Sequence, residues 1–203
     1  MTGRRRGDRP APDVHPVTPD RLDDLADLFG SNATTRGCWC MWFRAPRSEV
    51  HAGWSGGNRV AFEAMAAGAD PPPGLLAYRD GAPLGWCAIA PRSHYPAAIG
   101  PRTRILRGRD PAEDDRVWLV SCFFVRVGHR RTGLTRALLE AAVDLADRYG
   151  ATAVEGFPLA GDGSATGDRF VGTESLFTAC GFTVVAHPTP SRVVVRRALT
   201  GRG

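Results

Sequence analysis

An apolar run near the middle of the chain constrains the fold more than any other segment. The run, VWLVSCFFV from Val117 to Val125, is rich in β-branched and aromatic residues and carries no charge. A strand with one wet face would alternate polar and apolar side chains, so this pattern is typical of a strand that is buried on both faces. We therefore expect a central strand covered by helices, as in an α/β domain.

The segment after this strand predicts a helix from about Gly133 to Arg148. Its apolar side chains recur at helical spacing on one face, and Gly150 is placed to end the helix. The remaining predicted elements are strands at 14–17, 75–78, 84–90, 152–157, 182–186 and 193–196, and helices that begin after Thr18, at about residue 59 with Asn58 as its cap, and at residue 172.

The turn between the central strand and this helix combines Gly133 with Arg130, Arg131 and Arg136. The first N–H groups of a helix have no partner within the helix, and the helix dipole favours negative charge there. Gly133 allows a ligand to approach the backbone closely, and the guanidinium groups add charge and donors. This combination predicts a phosphate site; a solvent-facing basic turn that only caps the helix is the alternative.

Length and composition bound the function. The chain has 203 residues, a net charge of +5 and a pI near 9.3, which predict one domain with an anionic partner. Residues 1–13 are expected to form a disordered basic tail, and residues 14–203 one domain. All 26 basic residues are Arg, so a P-loop with its Lys is excluded. The G-x-G-x-x-G fingerprint of dinucleotide sites is absent as well.

Location and metal content follow from the same sequence. No apolar run is long enough for a membrane span, and no apolar h-region follows the basic start, so we expect a cytoplasmic protein without membrane contact. The 5 cysteines are scattered, and Cys38 and Cys40 have C-x-C spacing. Structural zinc sites use C-x₂₋₄-C pairs, so we expect free thiols and no metal.

The run VRVGHRRTGLT, Val125 to Thr135, resembles the acyl-CoA signature of the GCN5-related N-acetyltransferases (GNAT), which reads Arg/Gln-x-x-Gly-x-Gly/Ala. Arg130 and Gly133 match, and Thr135 stands where the family prefers Gly or Ala. The order of predicted elements is similar over residues 14–199, and LFTACGF resembles the family's LYxxxGF ending of the last helix. The resemblance implies the GNAT fold, a central mixed sheet of about seven strands flanked by about four helices.

The resemblance also implies an activity, which is direct transfer of an acetyl group from acetyl-CoA to a primary amine within a ternary complex. A backbone N–H of the central strand would polarise the thioester carbonyl. Because the amine is the nucleophile, Cys122 is expected to be a core residue. The residues that the resemblance implies for acetyl-CoA are Phe123, Phe124, Val125, Arg130, Arg131, Thr132, Gly133, Leu134, Thr135, Arg136 and Phe177.

The catalytic positions depart from the family pattern. The family often has a Tyr that protonates the leaving thiolate at the position of Phe177, and a phenyl ring cannot donate a proton. The central strand carries no acid, so Glu155 in the next strand is the candidate base, with a pKa raised by burial. Two alternatives stay open: Glu155 is a structural carboxylate held by an Arg or by backbone N–H groups, or water serves as the base.

The acceptor is expected to bind near the aromatic segment GCWCMWF, and the candidate residues are Trp39, Trp42, Trp54, Arg92 and Tyr95. If these residues line a pocket, a small aromatic or apolar amine or hydrazide fits better than a polyamine; the alternative is that the aromatic side chains are core. Other acceptors would be protein or peptide amines. A CoA-binding regulatory module that has lost catalysis is a further alternative. A homodimer is left open, and nucleic-acid binding through Arg4–Arg6 is not favoured.

Overall fold

The computed structural model describes residues 10–101, 103–161 and 169–200. Their strands form one seven-stranded sheet in the order β1-β2-β3-β4-β5-β7-β6. Only β4 and β5 are parallel, so the sheet is mixed, as predicted. The strands are β1 Asp13–Pro16, β2 Gly74–Arg79, β3 Ala82–Pro91, β4 Val117–Val125, β5 Ala153–Gly156, β6 Thr183–Thr189 and β7 Arg192–Ala198.

The described residues form seven α-helices rather than the expected four or so. They are α1 Leu22–Gly30, α2 Ala33–Cys38, α3 Arg47–Ala52, α4 Gly57–Ala67, α5 Pro96–Ile99, α6 Leu134–Arg148 and α7 Glu174–Ala179. Short 3₁₀ helices lie at 19–21, 53–55, 92–94, 111–113 and 169–171. The unpredicted helices α2, α3 and α5 are one or two turns long, which is too short for a helical apolar period to show in the sequence.

The two faces of the sheet carry separate layers of helices. Helices α6 and α7 pack on one face, where Val120 and Phe123 of β4 belong to their cluster. Helices α1, α2 and α4 pack on the other face, where Phe124 joins Trp86 of β3 in a second cluster. Eight of the nine residues of β4 are buried and Cys122 is half-buried, so the expected burial on both faces is confirmed.

A β-bulge interrupts β4 at Ser121. Ala88 of β3 pairs with Cys122, whereas the next β3 residue, Ile89, pairs with Val120, so Ser121 is the extra residue. A bulge shifts the alternation of side chains along a strand. As a result Val120 and Phe123 face the same helix layer although they are three positions apart.

Strands β4 and β5 separate at this same level. They pair from Val117 opposite Ala153 to Val120 opposite Gly156, and Gly156 is the last residue of β5. Among the described residues, β4 continues from Ser121 to Val125 with β3 as its only paired strand. We call this opening between the two strands the fork.

Several local predictions can be compared with the structure. The turn Asp80–Gly81 has positive φ at both residues, 52° and 75°, which confirms the hairpin. The expectation that Asn58 caps α4 is wrong, because the helix begins at Gly57 and the Asn58 amide is buried. Asn58 Nδ2 donates to the carbonyl oxygens of Gly37 and Val50, both at 2.8 Å. The predicted tail lies largely outside the described residues, and its last residue, Asp13, starts β1.

Gly156 tests the packing at the fork. A Cβ built at this position would lie 2.6 Å from the Phe177 ring, which is held between Phe123 and Phe182. We expect Gly156→Ala to lower the free energy of unfolding by about 1–3 kcal/mol, the usual cost of overpacking a core. Urea denaturation measures the change. The control is Gly68→Ala, where no atom lies within 4 Å of the added Cβ; equal stability of the two variants would contradict this account.

Candidate functional site

The turn after β4 is built from residues with left-handed backbone conformations. Gly128, Arg131 and Gly133 have φ values of 89°, 59° and 88°. Gly133 is the N-cap of α6, and no side chain caps this helix. The Thr132 hydroxyl donates to the carbonyl oxygen of His129 at 2.6 Å, which closes the turn. Left-handed residues in a turn direct neighbouring N–H groups toward one point, and such turns bind anions.

A cleft of ≈ 690 Å³ lies beside this turn. Its lining contains three guanidinium groups and no carboxylate. Of the predicted CoA residues, Arg130, Arg131, Thr132 and Gly133 line it; Arg79, at the end of β2, was not predicted. The complete lining is Pro10, Ala11, Pro12, Arg79, Gly128, Arg130, Arg131, Thr132 and Gly133. A cleft with this charge favours a polyanion.

Three predicted CoA residues at the start of α6 do not line this cleft. Leu134 is buried in the cluster under α6, and Thr135 is half-buried. Arg136 is exposed, and its Nε lies 2.8 Å from Oε1 of Glu140 one turn later, a contact that raises the pKa of Arg136. The side chains of Leu134 and Arg136 are therefore engaged within the protein, the first in the core and the second with Glu140.

The fork holds the other predicted CoA residues. Phe123, Phe124 and Val125 occupy the part of β4 that has no β5 partner. Phe177 of α7 is fully buried, with its ring centroid 6.1 Å from that of Phe123 and 5.0 Å from that of Phe182. The ring fills the space above Gly156. A phenyl ring thus stands at the fork, without a group that could move a proton.

Glu155 lies at the base of the fork between two guanidinium groups. Its Oε2 is 3.0 Å from Nη1 of Arg92, and its Oε1 is 3.0 Å from Nη1 of Arg196. Arg196 also binds both oxygens of Glu113 at 2.9 and 3.1 Å, a hydrogen bond that lowers the pKa of Glu113. Both carboxylate oxygens of Glu155 are therefore held by donors. This geometry agrees with the alternative that Glu155 is a structural carboxylate.

Arg92 lies wholly inside the same network and not on an open surface. Its side chain is 0% exposed, and Nη2 donates to the carbonyl oxygen of Asp110 at 2.9 Å. Nε lies 3.0 Å from Oδ1 of Asp114, a charge contact whose angle does not make a hydrogen bond. The network thus joins the connection between β3 and β4 to Glu155 in β5. A substrate could not reach Arg92 in this arrangement.

Tyr95 is also fully buried. Its hydroxyl oxygen accepts from Nη2 of Arg44 at 3.1 Å, and the Ser121 side chain lies close to it. The Arg44 guanidinium lies 4.4 Å from the centre of the Tyr95 ring. Burial raises the pKa of Tyr95 to about 12, so the phenol keeps its proton at neutral pH. Sequence reasoning missed Ser121 and Arg44, because neither belongs to a recognisable motif.

The three predicted tryptophans do not line one pocket. Trp39 is buried against Phe29 and Phe62 in the core of the α1 layer. Trp54 is 38% exposed and stacks on His51, which also contacts the half-buried Trp42. Trp39 is therefore core, as the alternative expectation had it, and the other two lie toward the surface.

Other aromatic rings lie near the fork on the α1 side of the sheet. The Phe43 ring is 5.1 Å from that of Phe157, which directly follows β5. The Phe170 ring stacks on Phe124 of β4 with a centroid distance of 6.5 Å. Sequence analysis did not assign Phe157 and Phe170, since their contacts depend on how the loops after β5 fold back.

The thiols and the helices of the described residues offer neither a metal site nor a membrane span. A hydrogen bond to Cys40, together with burial, raises the pKa of Cys122 well above its usual value, which agrees with a core thiol. In the part of the chain that the structure describes, no group of three or more His, Cys, Asp or Glu side chains could hold a metal ion. No α-helix among the described residues is both long and apolar enough to cross a membrane.

Comparison with known proteins decides the family. The family model of the GNAT acetyltransferases matches residues 32–158, which is more than half of the chain. The chain belongs to this family. No curated protein matches the chain at a significant level. The match includes α2 to α6, the turn after β4 and the fork, so the family pattern covers the elements described above.

Solved structures of GNAT proteins share the fold. A GCN5-related N-acetyltransferase from Kribbella flavida has 19% sequence identity and a TM-score of 0.55 over 93% of this chain and 98% of that chain. The PaiA N-acetyltransferase from Thermoplasma acidophilum, in complex with coenzyme A, has 11% identity and a TM-score of 0.53 over 94% and 100%. The yncA protein of Salmonella typhimurium, with its cofactor acetyl-CoA, has 14% identity and a TM-score of 0.54 over 95% and 96%.

The ion-pair network makes a prediction for Glu155. Glu155→Gln leaves the fully buried Arg92 short of one negative charge, so we expect the free energy of unfolding to fall by about 3 kcal/mol, the low end for breaking a buried pair. Urea denaturation measures it. The matched control is Glu63→Gln, which removes the exposed pair with Arg59 (Nε–Oε1 2.7 Å) and should change stability by less than about 1 kcal/mol.

The same variant separates the two interpretations of Glu155. A general base contributes about 10²–10⁴-fold to the rate. If Glu155 were the base, Glu155→Gln would lower kcat by that factor and remove the acidic limb of the pH profile, while the stability would be retained. That result would contradict the structural role.

Proposed function

We propose that the protein transfers the acetyl group of acetyl-CoA directly to the nitrogen of a small amine. The observation that carries this proposal is the position of the cationic turn at the end of β4, immediately beyond the segment that β5 leaves unpaired. A phosphate-binding turn and an open strand edge thus follow one another along a single path. Family membership supports the proposal, as do the CoA and acetyl-CoA in the PaiA and yncA structures.

The residues of this chain fit such a cosubstrate. The N–H groups from Arg131 to Thr135 would hold the pyrophosphate, with Arg130 adding charge. The extended arm carries amide groups, and the open edge of β4 at Phe123–Val125 offers backbone partners for them. The Phe177 and Phe123 rings lie in contact at the fork and would shield a bound thioester from water. No carboxylate lines the turn's cleft to oppose the phosphates.

Acetyl-CoA supplies an activated thioester, and the chain positions and polarises it. The amine nitrogen forms the new bond to the carbonyl carbon, the bond from that carbon to sulfur breaks, and the amine loses a proton. A backbone N–H of β4 near the bulge would stabilise the negative charge on the carbonyl oxygen. With both Glu155 oxygens held by arginines, we assign the removal of the amine proton to water.

We assign the protonation of the leaving thiolate to Ser121. Phe177 cannot serve, whereas the Ser121 hydroxyl lies in the bulge at the level where β5 ends. The Tyr95 oxygen accepts from Arg44 and lies close to the Ser121 side chain, so Tyr95 and Arg44 would position the Ser121 hydroxyl. Ser121 would regain from water the proton that it passes to the thiolate.

The acceptor that we propose is an aromatic or apolar amine. Phe43, Phe157 and Phe170 stand on the α1 side of the fork, where an amine would approach the thioester. Trp42 directly precedes Phe43 and remains a candidate acceptor-binding residue. Trp54, which stacks on His51 nearer the surface, is the other candidate. Arg92 is left out of this site because its guanidinium is held by Glu155 and the Asp110 carbonyl oxygen. Trp39 is left out because it packs between Phe29 and Phe62 in the α1 layer.

The loss of the usual acid at Phe177 favours one other function, a CoA-binding module without catalysis. A thiol-release assay with acetyl-CoA and a panel of aromatic, aliphatic and peptide amines tests the choice. We expect CoA release that depends on an aromatic or apolar amine. A rise in melting temperature with CoA, without release for any amine, would favour the binding module. Turnover with the peptide amines alone would show that the acceptor is a protein or peptide amine.

The acid assignment has its own test. We expect Ser121→Ala to lower kcat by about 10²-fold, the low end for general acid–base catalysis, with the Kd for CoA unchanged. Steady-state kinetics and calorimetry give the two values. Ser93→Ala, on the neighbouring 3₁₀ helix, is the control and should leave kcat unchanged. A Ser121→Ala enzyme with the wild-type kcat would remove Ser121 from the mechanism.

A further inference from the structure

Arg79 reaches the cleft beside the turn from a different part of the sheet. It is the last residue of β2 and half-buried, and its Nε is enclosed and makes no hydrogen bond with any described residue. Its only hydrogen bond seen in the structure is long, from Nη2 to the carbonyl oxygen of Thr132 at 3.5 Å. No carboxylate within 4 Å forms an ion pair with it in the described part of the chain. The positive charge of a half-buried guanidinium without an ion-pair partner is best compensated by a bound anion.

The position of Arg79 separates it from the N–H groups of the turn. Its contact with the turn is to the carbonyl oxygen of Thr132 and not to an N–H group. A pyrophosphate held by the N–H groups would therefore leave Arg79 available for another phosphate. The cleft between them is ≈ 690 Å³, which is room for a nucleoside with its phosphate.

Part of the lining of this cleft is apolar. Pro10, Ala11 and Pro12 belong to it and carry no charged group. Flat aromatic rings pack well on such surfaces, whereas a simple inorganic anion gains nothing from them. The combination of this apolar lining with guanidinium groups therefore fits a phosphorylated nucleoside better than a free anion.

We propose that this cleft holds the adenosine 3′-phosphate end of CoA and that Arg79 binds the 3′-phosphate. This inference rests on the proposed function, and it makes Arg79 a specificity-determining residue. CoA carries this third phosphate on its ribose, whereas dephospho-CoA lacks it. Arg79 thus distinguishes the two molecules, while the turn binds the pyrophosphate that they share.

Calorimetric titration of the full chain with CoA and with dephospho-CoA tests the proposal. A hydrogen-bonded charge pair corresponds to roughly 10–100-fold in affinity, so we expect the wild type to prefer CoA by that factor. Arg79→Met should reduce the preference to less than about twofold by weakening CoA alone. Arg148→Met is the control; Arg148 ends α6, about 20 Å from the turn, and its loss should keep the preference.

Three outcomes would overturn the inference. The first is equal affinity of the wild type for CoA and dephospho-CoA, a result that needs no variant and leaves the proposed function standing. The second is an Arg79→Met variant that loses affinity for both ligands equally, which would assign Arg79 to supporting the turn. The third is displacement of CoA by inorganic phosphate as effective as that by adenosine 3′,5′-bisphosphate. A failure of the proposed function would differ from these, because it would appear as the absence of thiol release with every amine of the panel, which the titration does not measure.

Discussion

The carboxylate of Glu155, held between Arg92 and Arg196, is the interaction on which the arrangement of the site depends. Glu155 belongs to the last but one residue pair between β4 and β5, and Gly156 belongs to the last pair. The two carboxylate oxygens of Glu155 bind Arg92 and Arg196. Its partners come from β7 and from the connection that leads into β4. The network therefore fixes both strands at the level where they separate. Because charges buried without partners are costly, these elements can move only together.

Strong local patterns made much of the fold predictable. The uniform apolar character of VWLVSCFFV indicated β4 with its bounds, and the helical period after Gly133 indicated α6. Asp80–Gly81 fixed the hairpin because its backbone conformation suits few other residue pairs. The turn after β4 was visible for the same reason, since glycine and arginine have a direct local role there. In each case the cause of the structure lies within the segment itself.

Features that arise from contacts between distant segments were not predictable. Nothing near Asn58 shows that its amide binds the carbonyl groups of Gly37 and Val50 instead of capping α4. The partners of Glu155 come from residues 92 and 196, so the sequence could name an arginine partner without saying which. Arg79 joins the cleft only because the hairpin brings β2 to the end of the sheet where the turn lies.

The cations of the cleft are all arginines, and this matters for an amine acceptor. An amine attacks only in its unprotonated form, which most aliphatic amines reach at alkaline pH. Lysine side chains lose their charge in that same range, whereas guanidinium groups stay protonated. In the proposed function, Arg79, Arg130 and Arg131 would therefore keep the attraction for phosphate constant while the acceptor becomes reactive. The cleft would thus retain an anionic donor across the whole pH range in which the proposed chemistry accelerates.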